Sequence, residues 1–254
     1  MWHRPQLLNV FADLLFVAGA AALLSAAAVW LVRMPALPIR EVVFTHELAQ
    51  VPRAEVEAAL QGNLKGNFFS LNLEAVRGAL EQLPWVRKAE VRRQWPARLE
   101  VSVEEHKAVA RWEDGHNPGH NELVNSYGEV FAAVLEDSAA GKLPLMYGPH
   151  GTAPAVLKRY GEFTEALKST GHRPVQMLLS PRLAWQLRLD DGMVVDLGRE
   201  QPKSPLDARL ARFVEIYPTA VGSRPVRPTA VDLRYPNGFA MRVATGGSEG
   251  KGKQ

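Results

Sequence analysis

One uncharged stretch, residues 14–32, constrains the fold of this chain more than any other feature. It reads LLFVAGAAALLSAAAVWLV, and Ser25 is its only polar side chain. As a helix with a rise of about 1.5 Å per residue it would measure roughly 28 Å, close to the ~30 Å hydrocarbon thickness of a bilayer. Asp13 and Arg33 flank the stretch, and Trp30 stands where interfacial aromatic residues are common. The pattern predicts a transmembrane helix.

Two other interpretations of this stretch stay open at the level of sequence. A cleaved signal peptide ends in small residues, and residues 26–28 (Ala-Ala-Ala) offer such a site. However, the apolar run continues to Val32, and Arg4 is the only basic side chain before it other than His3. A buried helix of a soluble protein is the second alternative, but it rarely lacks charge on every face. We favour the membrane anchor.

The composition after the anchor excludes several classes of protein. About 220 residues follow it, which is enough for two ordinary domains. Cysteine is absent, so disulfides, thiolate metal sites and cysteine nucleophiles are unavailable. A net charge of +3 is too small to indicate nucleic-acid binding. The basic residues beside the anchor, Arg4 on one side and Arg33 and Arg40 on the other, do not decide its orientation.

The segment 39–107 is predicted to form the first domain. Residues 39–44 (IREVVF) have the composition of a strand, residues 53–61 and 73–82 have the apolar spacing of helices, and Pro84 ends the second helix. Alternating apolar residues on both sides of Trp95 then predict a β-hairpin. The order β-α-α-β-β gives one sheet whose face is covered by two helices.

The segment 108–244 is predicted to form a second, mostly antiparallel β-domain with two helices. Apolar spacing indicates helices over 153–169 and 206–217. Runs rich in β-branched, aromatic and other apolar residues indicate strands at 108–112, 122–125, 130–135, 175–179, 184–189, 193–197, 230–234 and 239–243. The predicted fold class is α+β. Its predicted parts are a cytoplasmic stub (1–13), a transmembrane helix (14–32), a spacer (33–38), the two domains and a disordered tail (245–254).

No catalytic motif emerges from the sequence. A phosphate-binding glycine loop, a dinucleotide fingerprint and a serine-hydrolase elbow are all missing. His116 and His120 have the spacing of two ligands on a helix, but Pro118 between them breaks a helix, which favours a solvated loop. We therefore predict no metal, no cofactor and no small-molecule substrate. The predicted hairpin of the first domain is basic, with Arg87, Lys88, Arg92, Arg93 and Arg98. This charge favours a solvent-exposed sheet face. If the hairpin binds anything, an anionic lipid headgroup or an acidic partner segment is expected.

The closing hairpin of the second domain is the most informative functional element. Its last strand, 239–243 (FAMRV), has one charge and no proline, although exposed strand edges are usually protected from pairing by charged side chains or by proline. Such an edge favours β-augmentation, in which a partner adds a strand through main-chain hydrogen bonds. Gly238 would allow close backbone approach, Tyr235 and Phe239 would supply contact area, and Arg234 would bind a partner carboxylate.

Several ordered segments resemble one family. The chain is similar to the bacterial FtsQ/DivIB cell-division proteins at residues 83–86 (LPWV), 94–96 (QWP), 99–105, 110–112 (ARW), 127–131 (YGEVF), 197–199 (LGR), 212–218 (RFVEIYP) and 231–235 (VDLRY) with Asn237-Gly238. The resemblance implies a non-enzymatic, single-pass inner-membrane scaffold of the divisome. Its N-terminus would be cytoplasmic, and a POTRA domain and a β-domain would lie in the periplasm.

The resemblance also implies partners and contact residues. The partners would be FtsB and FtsL at the division septum, besides the lipid around the anchor. FtsB would dock at the positions matched here by Arg182, Arg234, Tyr235, Asn237 and Gly238, and the edge argument adds Phe239. Pro236 departs from the family, where an acidic residue is common, and it removes one main-chain donor.

Two alternative functions remain at this stage. One is a POTRA-type receptor or chaperone for translocating polypeptides, although no long barrel sequence follows Val243. The other is a membrane-tethered metallohydrolase that would use His116 and His120.

Overall fold

The structure is a computed structural model that describes residues 5–33, 38–114, 122–223, 226–235 and 238–243. It divides into two units, Met1–His106 and Lys107–Gln254. The architecture is mixed α+β, with an apolar N-terminal helix before two domains that each contain their own sheet. This agrees with the predicted fold class.

The first helix is longer than the apolar stretch predicts. α1 runs Pro5–Arg33, because proline is tolerated in a first helical turn, where no N–H group needs an intrahelical partner. Its candidate membrane span, Asn9–Trp30, has a mean hydropathy of 2.1 and none of it is buried against the rest of the chain. The span includes Asp13, which was expected to lie outside it. Complete exposure excludes the buried-helix interpretation, and the helix is long and apolar enough to cross a bilayer.

The first domain has the predicted order of elements. They are β1 (Glu41–Phe44), α2 (Arg53–Gln61), α3 (Leu73–Glu81), β2 (Val86–Gln94) and β3 (Arg98–Glu105). β3 is central, with β1 parallel to it on one side and β2 antiparallel on the other. The core forms where Val56 and Leu80 of the helices meet Leu99 and Val101 of the sheet, all nearly inaccessible to solvent. One face of the sheet is therefore closed by the two helices.

The second unit contains nine strands and three α-helices within the described residues. They are β4 (Ala108–Glu113), β5 (Glu122–Asn125), β6 (Val130–Ala132), α4 (Asp137–Ala140), β7 (Leu145–Tyr147), α5 (Ala153–Leu167), β8 (Pro174–Leu179), β9 (Ala184–Leu189), β10 (Val194–Arg199), α6 (Leu206–Tyr217), β11 (Pro228–Asp232) and β12 (Ala240–Val243). A 3₁₀ turn, Lys168–Thr170, follows α5, and a π-helical turn, Pro218–Gly222, follows α6.

These strands form one sheet in the order β12-β11-β10-β9-β8-β7-β4-β5-β6. Five of the eight strand pairs are antiparallel, as the prediction of a mostly antiparallel sheet requires. The other three are parallel, and two of these involve β7, which the sequence analysis missed together with α4. Three residues are too few to show a strand period.

The two long helices of this unit cover a single face of the sheet. Phe163 of α5 and Phe213 of α6 are almost fully buried against Leu187 and Val195. Strand residues of the opposite parity are exposed or half-buried, because side chains alternate across a strand. The sheet thus keeps one solvated face, and that face continues to the edge formed by β12.

Both long helices of this unit are followed by a further helical turn, although α6 itself ends at Tyr217 as predicted. Pro218 does not interrupt the helical backbone, because its φ of −58° is itself helical. In the turn that follows, Thr219 Oγ1 donates a hydrogen bond to the carbonyl of Ile216 at 3.0 Å. At the end of α5, Gly171 adopts a left-handed φ of 77°, as a C-terminal cap requires.

Candidate partner-binding site

The site is built on β12, the last strand at one end of the nine-stranded sheet. β12 pairs with β11 in the register Ala240 to Asp232 and Met241 to Val231. Among the described residues no strand pairs with its other side. Main-chain donors and acceptors on that side therefore face outward, where an extended peptide can reach them. Arg242 and Val243 are exposed on the same strand.

A groove of about 610 Å³ runs along this edge on the face of the sheet away from the helices. Its lining mixes aliphatic, carboxylate and guanidinium groups from four neighbouring strands and the segment after β11, namely Gln186, Val194, Asp196, Thr229, Ala230, Val231, Asp232, Arg234, Tyr235, Ala240, Met241 and Arg242. The groove is open to solvent along an unpaired strand, which suits an extended segment better than a compact small molecule.

Arg234 lies at the end of β11 and is held by the chain's own carboxylates. Its Nε and Nη2 donate to the two oxygens of Asp232 at 2.9 and 2.6 Å, and Nε lies 3.6 Å from Asp196. The side-chain hydrogen bond from Arg234 lowers the pKa of Asp232, which in turn raises the pKa of Arg234. With 58% of its side chain exposed, Arg234 is a fixed surface cation.

Gly198 makes this position of Arg234 possible. It follows a register shift in β10 and has a φ of 71°, which side-chain-bearing residues rarely adopt. A Cβ atom built on Gly198 would lie 2.8 Å from Cγ of Arg234. The stem of Arg234 therefore packs directly on the backbone of the neighbouring strand. The sequence analysis noted Gly198 as part of a family segment, but it did not find this contact.

A buried arginine fixes the same bulge from the helical side. Arg209 of α6 is 2% exposed, and its Nη1 donates to the carbonyls of Leu197 and Arg199. Its Nε donates to Ser204 Oγ at 3.0 Å. These bonds hold β10 against α6 just below Arg234. The sequence analysis did not single out Arg209, although its spacing from Leu206 and Phe213 places it on the apolar face of α6.

The predicted aromatic contacts differ from each other. Tyr235 is 55% exposed beside Arg234, so its ring is available to a partner. Phe239 is half-buried, and its ring meets that of Phe213 edge-to-face at 6.2 Å, which makes it mainly a support for the strand. Gly238 has open space where a Cβ atom would stand. Asn237 and Pro236 lie outside the described residues.

Arg182 belongs to the same end of the sheet. It occupies an exposed turn that Ser180 closes by bonding both the amide and the carbonyl of Ala184. Ala184 pairs with Arg199 near the end of β10, and Asp196 of that strand pairs with Asp232. The start of β9 and the ends of β10 and β11 lie at the same end of these strands. The turn of Arg182 and the segment of Arg234 are therefore both at that end, with β9 and β10 between them.

The residues proposed as a metal site from sequence, His116 and His120, lie outside the described residues. Within them, the ligand atoms of His172, Asp190 and Asp191 all lie within 4.8 Å of one another. His172 Nδ1 is 2.8 Å from Asp190, and Arg227 is 3.8 Å from Asp191, so internal pairing explains this group. Burial is the largest single influence on the Asp190 carboxyl and raises its pKa, but the hydrogen bond and charge of His172, together with backbone hydrogen bonds, outweigh it and lower the pKa.

Comparison with known proteins covers both domains. The description "POTRA domain, FtsQ-type" matches residues 37–106, and "Cell division protein FtsQ/DivIB, C-terminal" matches residues 110–234. A Burkholderia pseudomallei protein named Cell division protein FtsQ is 38% identical over 244 residues, covering 96% of this chain and 95% of the relative. The chain belongs to the FtsQ/DivIB family of bacterial cell-division proteins.

Other relatives agree with this assignment. Proteins of the same name from Nitrosospira multiformis and Escherichia coli are 36% and 31% identical, covering 95% and 84% of the chain and 99% and 75% of the relatives. The expected family and POTRA domain are confirmed, and the chain has a role in cell division. With its apolar helix α1 it fits a single-pass membrane protein.

Proposed function

We propose that this protein is a non-enzymatic scaffold of the divisome whose β-domain captures a strand of FtsB at the division septum. The observation that supports this function most directly is the outer side of β12, which no described strand pairs with, together with its groove and its single charged residue. The scaffold would hold FtsB, and with it FtsL, at the site of wall synthesis. No catalysis is needed for that role.

The proposed topology rests on α1. We infer a membrane anchor rather than a cleaved signal because the apolar run continues past the small residues 26–28 to Val32. The N-terminus would be cytoplasmic, and the POTRA domain (39–107) and the β-domain (108–244) would be periplasmic. Large domains are translocated largely regardless of flanking charge, so Arg33 and Arg40 are compatible with this orientation.

The proposed binding mode combines main-chain pairing with a few side-chain contacts. A partner strand adds to the outer side of β12, and the ring of Tyr235 covers one of its side chains. A guanidinium carries five N–H donors, and Arg234 spends two on Asp232, which leaves donors for a partner carboxylate. Arg182, Asn237 and Gly238 complete the proposed contact residues, and Phe239 supports the strand from below.

The decisive test replaces one main-chain donor at a time in β12. Consecutive residues of a strand direct their N–H groups to opposite edges, so one of Arg242 and Val243 donates outward. Both side chains are exposed, and a proline at the outward position removes the donor without creating a cavity. We expect that one of R242P and V243P weakens binding of the periplasmic segment of FtsB at least about tenfold. Calorimetry with the full chain in detergent measures this.

Matched alanine variants separate the main chain from the side chain. R242A and V243A keep every N–H group and should bind FtsB close to normally, and an unchanged thermal unfolding curve identifies the proline variants that are folded. If folded R242P and V243P both bind like the original chain, the partner does not pair with β12 and the proposal fails.

A further inference from the structure

A cluster of three aromatic rings stands at one end of the POTRA domain. Phe68 is buried, and its ring meets those of Phe69 and Trp95 edge-to-face at 5.3 and 5.7 Å. Phe69 and Trp95 are themselves 47% and 67% exposed. We call these three residues the aromatic platform. Both exposed rings share Phe68 as a neighbour, and contiguous exposed apolar patches mark interaction surfaces.

The platform is held in place by hydrogen bonds, so its exposure is built into the fold. Arg93 of β2 donates to the carbonyls of Phe68 and Leu71 at 2.7 and 2.6 Å. The side-chain oxygen of Asn67 accepts from the backbone amides of Phe69 and Ser70 at 2.9 and 2.8 Å. Arg93 is thus occupied with the loop, although its sequence context suggested a surface cation.

The platform also lies beside the point where the chain arrives from α1. Trp95 is in the turn between β2 and β3, and the next residues contact the start of β1: the amide of Arg40 donates to the carbonyl of Ala97 at 2.9 Å, and Arg98 pairs with Glu41 at 2.7 Å. Arg40 is seven residues from Arg33, the last residue of α1. Seven residues span at most about 25 Å. The platform is therefore tethered close to the end of the anchor.

Exposed arginines lie on both sides of Trp95 in the sequence. Arg92 and Arg98 have 74% and 54% of their side chains exposed, and Arg40 is exposed too. Arg92 pairs with Glu90 and Arg98 with Glu41, but both pairs are open to water and contribute little to stability. Guanidinium groups bind phosphate well, and tryptophan prefers the headgroup level of a bilayer. The combination suits a phospholipid surface better than water.

We propose that the aromatic platform rests on the bilayer surface next to the anchor. Trp95 and Phe69 lie at the headgroup level, and Arg92 and Arg98 meet lipid phosphates. The contact would fix the orientation of the POTRA domain relative to the membrane. It is independent of the proposed capture of FtsB, which involves the other domain.

The absence of cysteine allows a direct test with single labels in the full chain. Gln94, next to the platform, and Gln82, near the end of α3, are both exposed and are each replaced by cysteine carrying an environment-sensitive fluorophore. The proteins are placed in phosphatidylcholine nanodiscs that contain nitroxide-labelled lipid, with or without phosphatidylglycerol. We expect quenching at position 94 to exceed that at position 82 by roughly threefold or more.

Variants assign the contact to the platform. In the Q94C background, F69A with W95A should reduce the quenching to the level seen at position 82, whereas W95F should keep most of it. W95F should keep the thermal unfolding curve of the original chain, whereas F69A with W95A uncovers Phe68 and should unfold cooperatively at a somewhat lower temperature. Replacing Arg92 and Arg98 by glutamine should remove any excess quenching caused by phosphatidylglycerol.

Two results would overturn the inference. The first is equal, weak quenching at positions 94 and 82 in both lipid mixtures, which would mean that the platform faces water or awaits a protein partner. The second is strong quenching at position 94 that survives loss of both exposed rings, which would mean that the label reports the tether alone.

Discussion

Two edge strands, β2 in the POTRA domain and β12 in the β-domain, each pair antiparallel with a single neighbour but are protected very differently. β2 has charged side chains at five of its nine positions, Arg87, Lys88, Glu90, Arg92 and Arg93. β12 has one charge in four residues, and a groove runs alongside it. Charge on an edge strand opposes pairing with another chain. The difference indicates that the chain closes one edge to partners and leaves the other available.

The two edges also differ in what supports them. The last residues of β2 hold the loop of Phe68 through Arg93, so that strand serves its own domain. β12 pairs with β11. The segment after β11 is fixed because Arg234 packs its stem on Gly198 and donates a hydrogen bond to Asp232. The proposed partner strand would therefore meet a preformed surface, so that little ordering of this chain would oppose its binding.

Gly198 should give the largest effect on stability among substitutions that leave β12 itself unchanged. G198A places a side chain at a left-handed φ and pushes a Cβ atom into Arg234, so we expect about 2–4 kcal/mol of destabilisation and weaker FtsB binding. G192A is the matched control, because Gly192 has a φ of 86° with open space around it. It should cost about 1–2 kcal/mol from strain alone and leave binding unchanged. Urea unfolding measures the stability of the two variants, and calorimetry measures their binding to FtsB. Equal effects of G198A and G192A on binding would mean that Arg234 is not part of the binding site.

Asp232 should give a smaller, pH-dependent effect. Its pKa is lowered below the ordinary 3.8 by Arg234, so the unfolded chain takes up the proton first as the pH falls. The pair thus stabilises the fold above that value, and its contribution is lost as the pH drops through the folded pKa. D232N should lower the free energy of unfolding by roughly 0.5–1 kcal/mol near neutral pH, because Arg234 is half-exposed. The difference from the original chain should shrink as the pH falls below the ordinary pKa of 3.8 and vanish once the pH is below the folded pKa. A pH-independent difference in urea unfolding would contradict this account.

The smallest effect should appear when β2 loses its protection. Replacing Lys88, Glu90 and Arg92 by threonine removes exposed ion pairs that contribute little to stability, so the fold should persist. The uncovered edge should then associate weakly between copies, which sedimentation velocity at rising concentration detects. The same substitutions leave β12 untouched and should not change FtsB binding. A strictly monomeric variant would mean that charge is not what protects β2.

Several elements follow from the sequence because their signals are local. The helices Arg53–Gln61 and Leu206–Tyr217 and the strand Ala184–Leu189 have the bounds that apolar spacing and turn residues predict. The last strand was likewise expected at an edge, and the sheet order places β12 there. Elements with weak local signals were predicted poorly. β7 was missed because three residues are too few to show a strand pattern. β6 was predicted to reach residue 135 but ends at Ala132, since the apolar residues after it do not join the sheet.

The site shows the same division. Arg234 and Tyr235 were predicted as contact residues from the sequence and its family resemblance. The sequence could not show that Asp232 already holds Arg234, that Phe239 packs on Phe213, or that Arg209 fixes the bulge at Gly198. Each of these contacts joins residues whose meeting depends on strand register or on the docking of α6. No pattern within a single segment encodes such a meeting.

The sequence by itself determined the apolar helix, the order of elements in the first domain and the low charge of the last strand. These depend on the composition and spacing of neighbouring residues, which act before any long-range contact forms. Only the tertiary structure decided which arginines are occupied, which ring is exposed and which strand edge faces solvent. Those properties depend on which distant segments share a sheet or a core, and the physical reason is that burial and pairing are set by all the neighbours of a residue in space.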